Sequence, residues 1–286
     1  FVIACFLTML LVSLGQLLGA FIAKPLFDSL FDDYTFSAFL SMYGAFIGIW
    51  IIFLLVMQLK NNRPMLKTVS SQAEGNTLKF SLIGLAIGFG ANTFCVLMSI
   101  LMGDIHIAFD SFQPLPLLLL LLVVFIQSSA EELSTRCYLY QKLRRRYRSP
   151  WFAIIGNALL FGALHLANPG INAAALSQIV VIGILLSLMI YYYDSLWCCF
   201  MIHAAWNYTQ NIIFGLPNSG IVSQYSIFRL EAASSRSGLF YNVNFGVEGS
   251  WGAVIVLAVI MVGIYYFGHK RGKTYDLWAD QDHPSL

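Results

Sequence analysis

Residues 117–146 read LLLLLLVVFIQSSAEELSTRCYLYQKLRRR. An unbroken apolar run, 117–126, gives way to Gln127, Ser128, Ser129, Glu131, Glu132 and Arg136, and only then does the basic Arg144–Arg146 cluster arrive. A membrane-spanning helix needs about 20 mostly apolar residues. The first half of this stretch suits lipid and the second half does not. An ionisable group at bilayer depth costs at least about 2.5–3.5 kcal/mol on insertion scales, so these polar residues must face other helices rather than acyl chains. One segment thus calls for a bundle around it.

The remaining sequence supplies such a bundle. Of 286 residues, 58% are hydrophobic and only 10% are charged, where soluble domains carry about 25%. Mean hydropathy is +0.73. This excludes disorder, a basic nucleic-acid binder and an ordinary water-soluble globule. Eight segments are apolar enough to span: 1–22, 37–59, 79–101, 115–141, 151–167, 171–193, 195–214 and 251–268. The expectation is an all-α polytopic bundle of about eight transmembrane helices forming a single membrane domain over 1–286. The fifth segment is short and has to sit partly buried. The first lacks a basic leader and an A-x-A end, so it reads as a retained helix rather than a cleaved signal. Gly15/Gly19, Gly44/Gly48 and Gly84/Gly88 are small-xxx-small pairs that permit close helix contact. The five cysteines form no C-x-x-C pair and read as small apolar packers. Tyr191, Tyr192, Tyr193, Trp197, Trp206 and Tyr208 read most simply as interfacial belt residues, with a lipid or peptide groove as the alternative.

Lysine and arginine set the orientation. Lys60, Arg63, Lys67, Lys79, Arg136, Lys142, Arg144, Arg145, Arg146, Arg148, Lys270, Arg271 and Lys273 fall on one side of an eight-span arrangement, and only Lys24, Arg229 and Arg236 on the other. The basic side is therefore expected in the cytoplasm, with both termini and a 269–286 tail. The 215–250 loop, rich in Ser, Asn and Gly, is expected outside, where it either caps the bundle or hangs free.

Four clusters carry polarity into the spans: Glu131 to Arg136, Phe161 to His165, Asn157 one face away, and His203 to Asn207. Counted from the nearest polar edge at helical rise, Glu131 lies about 20 Å deep, His165 about 22 Å and His203 about 14 Å. Three helices thus bring polar groups to similar depth. Glu131 and Glu132 point roughly 100° apart, so they cannot serve one spot equally. Arg136 follows Glu132 by one helical turn, the favourable order for a Glu–Arg pair. Arg136 is expected to neutralise Glu132, leaving Glu131 free. His203 and Asn207 share a helix face by the same spacing.

A carboxylate, two imidazoles and a carboxamide in a low-dielectric pocket suit water activation. The carboxylate serves as general base, and His and Asn stabilise a developing oxyanion. The same donors, Glu131, His165 and His203, also suit zinc with an open coordination position. Against these stands plain packing, with the polar groups acting as glue between helices. No G-x-S-x-G surrounds Ser128, Ser129 or Ser134, and H-E-x-x-H is absent.

EELSTR at 131–136, FGALH at 161–165 and HAAWN at 203–207 match, in order and on successive spans, the motifs E-E-x-x-x-R, F-x-x-x-H and H-x-x-x-N. In these the sequence resembles the CPBP (Abi) family of CAAX proteases and bacteriocin-processing enzymes, over a core at 115–214. The resemblance implies an intramembrane endopeptidase with its site open to the cytoplasmic side. It assigns Glu131 as base with His165 as its partner, His203 and Asn207 as oxyanion hole, and Glu132 and Arg136 as supporting residues. It leaves open zinc, held by His165, His203 and Glu131, and a metal-free mechanism. It implies a peptide or membrane-tethered protein substrate (CAAX-type, bacteriocin or pheromone-like precursor), contact with membrane lipids and no nucleic acid, in a bacterial plasma membrane. The alternative is a non-catalytic immunity or scaffold protein of the same fold.

Overall fold

The computed structural model describes residues 1–279; the end of the expected tail, 280–286, lies outside the described residues. Helix α1 (Val2–Leu30) leads to α2 (Tyr34–Gly44) and α3 (Ile47–Gln58), two helices joined at Ala45–Phe46 where one span was expected. A 3₁₀ turn at Arg63–Met65 and the short α4 (Leu66–Val69) precede α5 (Leu78–Leu101). Helix α6 (Pro114–Glu132) continues through a π-helical stretch (Leu133–Leu139) into α7 (Tyr140–Arg146). Then come α8 (Pro150–Leu164), α9 (Ala173–Tyr193), α10 (Leu196–Tyr208) with a π-helical end at Thr209–Ile213, and α11 (Trp251–Arg271).

Local chemistry sets these boundaries. Pro114 and Pro150 open α6 and α8, where a missing N–H costs nothing. Side chains of Asn172, Ser195 and Ser250 accept from the backbone N–H of Ala175, Cys198 and Ala253 and cap α9, α10 and α11. Asp194 ends α9 in the left-handed region at φ 50°.

Among the described residues, six helical rods are long and apolar enough to cross a membrane: α1, α2–α3, α5, α6–α7, α9 and α11. The expected segment at 151–167 is too short, and the one at 195–214, helical over 196–213, carries His203, Asn207, Gln210 and Asn211 and is too polar. Helix α8 has 15 residues, about 22 Å of helix against a hydrocarbon core of about 30 Å. It stops at His165, and the chain turns back through 165–172 at that depth. Irregular backbone there is tolerated only where it is buried in protein or lines a cavity.

Glycines bring the helices that matter close together. A Cβ on Gly88 would collide with the carbonyl of Ile202, so α5 lies against the α10 backbone one residue before His203. Gly19 and Gly48 place α1 on the α2–α3 rod in the same way. All five cysteines are buried and free.

The bundle has two unlike ends. At one, Lys142 donates to Asn62 (2.7 Å), Arg144 pairs with Asp276, Lys273 pairs with Glu74 (2.5 Å), and the Phe1 amine meets the Tyr147 hydroxyl (3.1 Å). Both ends of the described chain lie there. Arg136, grouped with this basic side by sequence, is fully buried inside the bundle instead. At the opposite end the 215–250 segment folds onto the helices and caps them. Its β2 (Phe228–Leu230) pairs antiparallel with β1 (Ile107–Phe109), a small ribbon within a fold expected to be all-α. Strands this short, joined across more than a hundred residues, leave no local alternation to read.

Candidate active site

The stretch from Gln127 to Arg136 is continuous helix, but it changes pitch at Leu133, immediately after the two glutamates. A π turn releases carbonyls from their usual partners. Here the Glu131 carbonyl is taken by the hydroxyls of Ser134 (2.9 Å) and Thr135 (2.5 Å). The wider turn still leaves Arg136 Nη1 3.2 Å from Glu132 Oε1, with both side chains fully buried. Thr135 Oγ1 lies 2.7 Å from the same nitrogen, and the guanidinium sits 4.2 Å from the centre of the Phe161 ring. The expected Glu132–Arg136 pair is thus present, and the phenylalanine of FGALH packs on it.

Glu132 has a second partner that spacing could not show. His203 Nδ1 lies 2.9 Å from Glu132 Oε1, across 71 residues of sequence. His165 Nδ1 lies 2.8 Å from the Phe161 carbonyl, one turn back on its own helix. A carboxylate and a carbonyl only accept, so both rings carry hydrogen on Nδ1 and turn Nε2 the other way. Both Nε2 atoms face Glu131: its Oε2 is 4.0 Å from that of His165 and 3.9 Å from that of His203. Glu131 Oε1 accepts from Gln127 Nε2 (2.6 Å), whereas Oε2 is buried with no hydrogen-bond partner among the described residues.

Asn207 lies one turn beyond His203. Its Nδ2 donates to Gln127 Oε1 (3.1 Å) and Ser128 Oγ (3.2 Å). The structure therefore brings together Glu131, Glu132, Arg136, His165, His203 and Asn207, contributed by three helical segments. It adds residues the sequence reading missed. Gln127 was open to discovery, being one helical turn before Glu131 and on its face. Asn218, Ser219 and Glu248, from the 215–250 segment, carry no local signal of a site. Trp206 is buried, with Nε1 donating to Glu248 (3.1 Å), and so is no interfacial belt residue. Burial pushes the Glu248 carboxyl above its ordinary value, opposed by the Ser219 N–H, by nearby His165 and by Trp206.

These groups line a cavity of about 350 Å³. Its other walls are largely apolar, with Met9 and Val12 of α1 and Ile179 and Ile182 of α9 lining it beside the polar Ser13, Gln16 and Gln178. Helix α1 packs on α2 and α3, and α9 on α8 and α11, so the cavity separates the two. The lining comes from the middles of helices and from connections at the end opposite the basic cluster, including Asn168, Pro169 and Asn218. The cavity thus reaches toward that end, and not toward the basic end where the resemblance led us to expect the opening.

Glu131, His165 and His203 have the right chemistry for zinc but not the spacing. Tetrahedral zinc with ligands at 2.0–2.1 Å holds its donor atoms about 3.3 Å apart, whereas these lie 3.9 and 4.0 Å apart. Among the described residues no group of three or more His, Cys, Asp or Glu side chains is arranged to hold a metal ion.

A search of curated proteins found no match. A family model does match residues 113–209, a stretch that holds all six of these motif residues. Over about a third of its length, therefore, the chain carries a domain of the family described as type II CAAX prenyl endopeptidase, Rce1-like.

Proposed function

We propose that this protein is an intramembrane endopeptidase in which Glu131 activates water. The observation that carries this reading is Glu131 Oε2, a buried carboxylate oxygen with no hydrogen-bond partner among the described residues, set about 4 Å from the Nε2 atoms of both His165 and His203. That separation is too long for a direct hydrogen bond and suits a bridging oxygen.

The steps follow from the donors. Glu131 takes a proton from the water held between it and His165 as the water oxygen attacks the scissile carbonyl carbon. The carbonyl oxygen becomes an oxyanion and accepts from His203 Nε2 when that ring carries both protons, and from Asn207 Nδ2 once one of its hydrogens leaves Ser128 Oγ. The C–N bond then breaks, and Glu131 passes its proton to the leaving amine. Glu132 holds the His203 ring through Nδ1, and Arg136 holds Glu132. These steps use only the side chains of the chain itself.

The family match supports a substrate of the CAAX type: a peptide ending in a prenylated Cys, two aliphatic residues and a last residue X. Bacteriocin or pheromone-like precursors are the other members of the class. The largely apolar walls offered by α1 and α9 suit a substrate that arrives through the bilayer, in an integral protein of a bacterial plasma membrane. The positive-inside rule then puts the basic end in the cytoplasm.

The test uses purified protein in detergent and a quenched fluorogenic peptide ending in a farnesylated Cys-aliphatic-aliphatic-X sequence, with product masses read by mass spectrometry. Release of the terminal tripeptide by the wild type, and its loss with Glu131→Gln, is expected. Activity that survives extended chelation supports the metal-free route. Activity that chelation abolishes and zinc restores contradicts it.

A further inference from the structure

The 215–250 segment does more than cover the end of the bundle. Glu248 is only 6% exposed and accepts from four donors. Oε1 takes Trp206 Nε1 (3.1 Å) and Asn218 Nδ2 (2.9 Å). Oε2 takes the backbone N–H of Ser219 (2.8 Å) and its hydroxyl (3.3 Å). Asn218 Nδ2 also lies 3.2 Å from Asn207 Oδ1. Neither Asn218 nor Glu248 falls within the matched residues 113–209.

These contacts have a direction. An ionised carboxylate only accepts, so Glu248 draws the amide NH₂ of Asn218 toward itself. The second hydrogen of that NH₂ meets Asn207 Oδ1, which leaves the Asn207 NH₂ aimed at Gln127 Oε1 and Ser128 Oγ. Gln127, its oxygen taken, presents its own NH₂ to Glu131 Oε1 at 2.6 Å. A carboxamide is nearly symmetric in shape, so packing alone does not choose between its two flips. Flipping any one amide in this series sets two acceptors or two donors against each other.

We infer that Glu248 and Asn218 are positioning residues that fix the donor direction of the series Asn218–Asn207–Gln127, and so keep the Gln127 NH₂ turned toward Glu131 Oε1 and the base carboxylate in place. This rests on the proteolytic reading above. It makes the segment opposite the basic end part of the catalytic device, acting through Asn207 rather than on substrate.

The test is the kinetics of the full chain on the farnesylated fluorogenic peptide, with wild type, Asn218→Asp, Asn218→Leu, Glu248→Gln and Glu131→Gln compared. Asp at 218 keeps the shape but has no donor; it sets acceptors against both Glu248 and Asn207 Oδ1 and forces the Asn207 amide to turn. We expect kcat to fall by at least about tenfold with Asn218→Asp, as befits a general base that loses its positioning donor. KM should stay within about twofold, since Asn218→Asp keeps the shape of the cavity wall. Asn218→Leu, with no polar atoms, should lose less than Asn218→Asp. In an Asn207→Ala background, Asn218→Asp should cause no further loss, because the group it orients is gone. Should Asn218→Asp fail to fold, as judged by its unfolding in SDS, Glu248→Gln carries the same expectation. Wild-type kcat in Asn218→Asp and Glu248→Gln beside an inactive Glu131→Gln overturns the positioning role and leaves the protease reading intact. A full additional loss in the Asn207→Ala background also overturns it. If Glu131→Gln cleaves like the wild type, the protease reading falls and this inference falls with it.

Discussion

Replacing Arg136 by Met removes a guanidinium that is fully buried, 3.2 Å from the equally buried Glu132 and 4.2 Å from the centre of the Phe161 ring. Met retains much of the apolar stem, so packing changes little and charge changes most. Glu132 is then left with His203 Nδ1 on Oε1, while Oε2 already has no hydrogen-bond partner. Breaking a buried pair by removing one partner costs about 3–5 kcal/mol, most of it the penalty of an uncompensated charge. Loss of the desolvated cation–π contact, worth about 2 kcal/mol, puts Arg136→Met toward the top of that range. The partner change Glu132→Leu strands Arg136 instead. With both residues replaced, neither charge remains buried, and a pair of apolar residues of similar volume is often neutral. The double variant should therefore be more stable than Arg136→Met alone, with a coupling of at least about 2 kcal/mol. Equilibrium unfolding in mixed SDS and detergent micelles, read by far-UV circular dichroism, measures all four corners of the cycle. Simple additivity, with the double variant losing the sum of the single losses, would refute the claim that these two residues act as a buried pair.

Gln127→Leu keeps side-chain volume but removes the donor to Glu131 and the acceptor for Asn207; kcat on the farnesylated peptide should drop by about tenfold or more, because both a base and an oxyanion donor lose their support. Gly88→Leu forces α5 away from the Ile202 carbonyl and displaces the turn carrying His203, so stability in SDS and cleavage should fall together; a stable, fully active Gly88→Leu would show that this close approach does not position the site.

The parts of the site that were legible in the sequence follow helical arithmetic. Glu132 and Arg136, and likewise His203 and Asn207, are one turn apart, which gives the pairing of the first two and the shared face of the second two. The convergence in depth of Glu131, His165 and His203 follows from rise per residue, and their Nε2 and carboxylate atoms do come within about 4 Å. What stayed hidden depends on contacts between helices. The bond from His203 to Glu132 joins residues 71 apart, and Glu248 meets Trp206 across 42. A period of 3.6 says which face a residue is on, but not which neighbour that face meets. The π turn after Glu132 was equally hidden, since its residues are ordinary helix formers and the turn is held by the hydroxyls of Ser134 and Thr135 on one carbonyl. The shortness of α8 was visible as a doubtful span. Its consequence, a chain reversal at cavity depth that lets the 215–250 segment reach the site, needed the coordinates.

The central claim is that Glu131 serves as the base that deprotonates the attacking water. Its most direct test is the ratio of kcat for wild type and Glu131→Gln on the farnesylated peptide, in the same detergent and with matched unfolding curves. Gln keeps the shape and the contact with Gln127 but takes no proton, so a loss of at least about 10²-fold is predicted, the usual contribution of a general base. Cleavage by folded Glu131→Gln at the wild-type rate would contradict it.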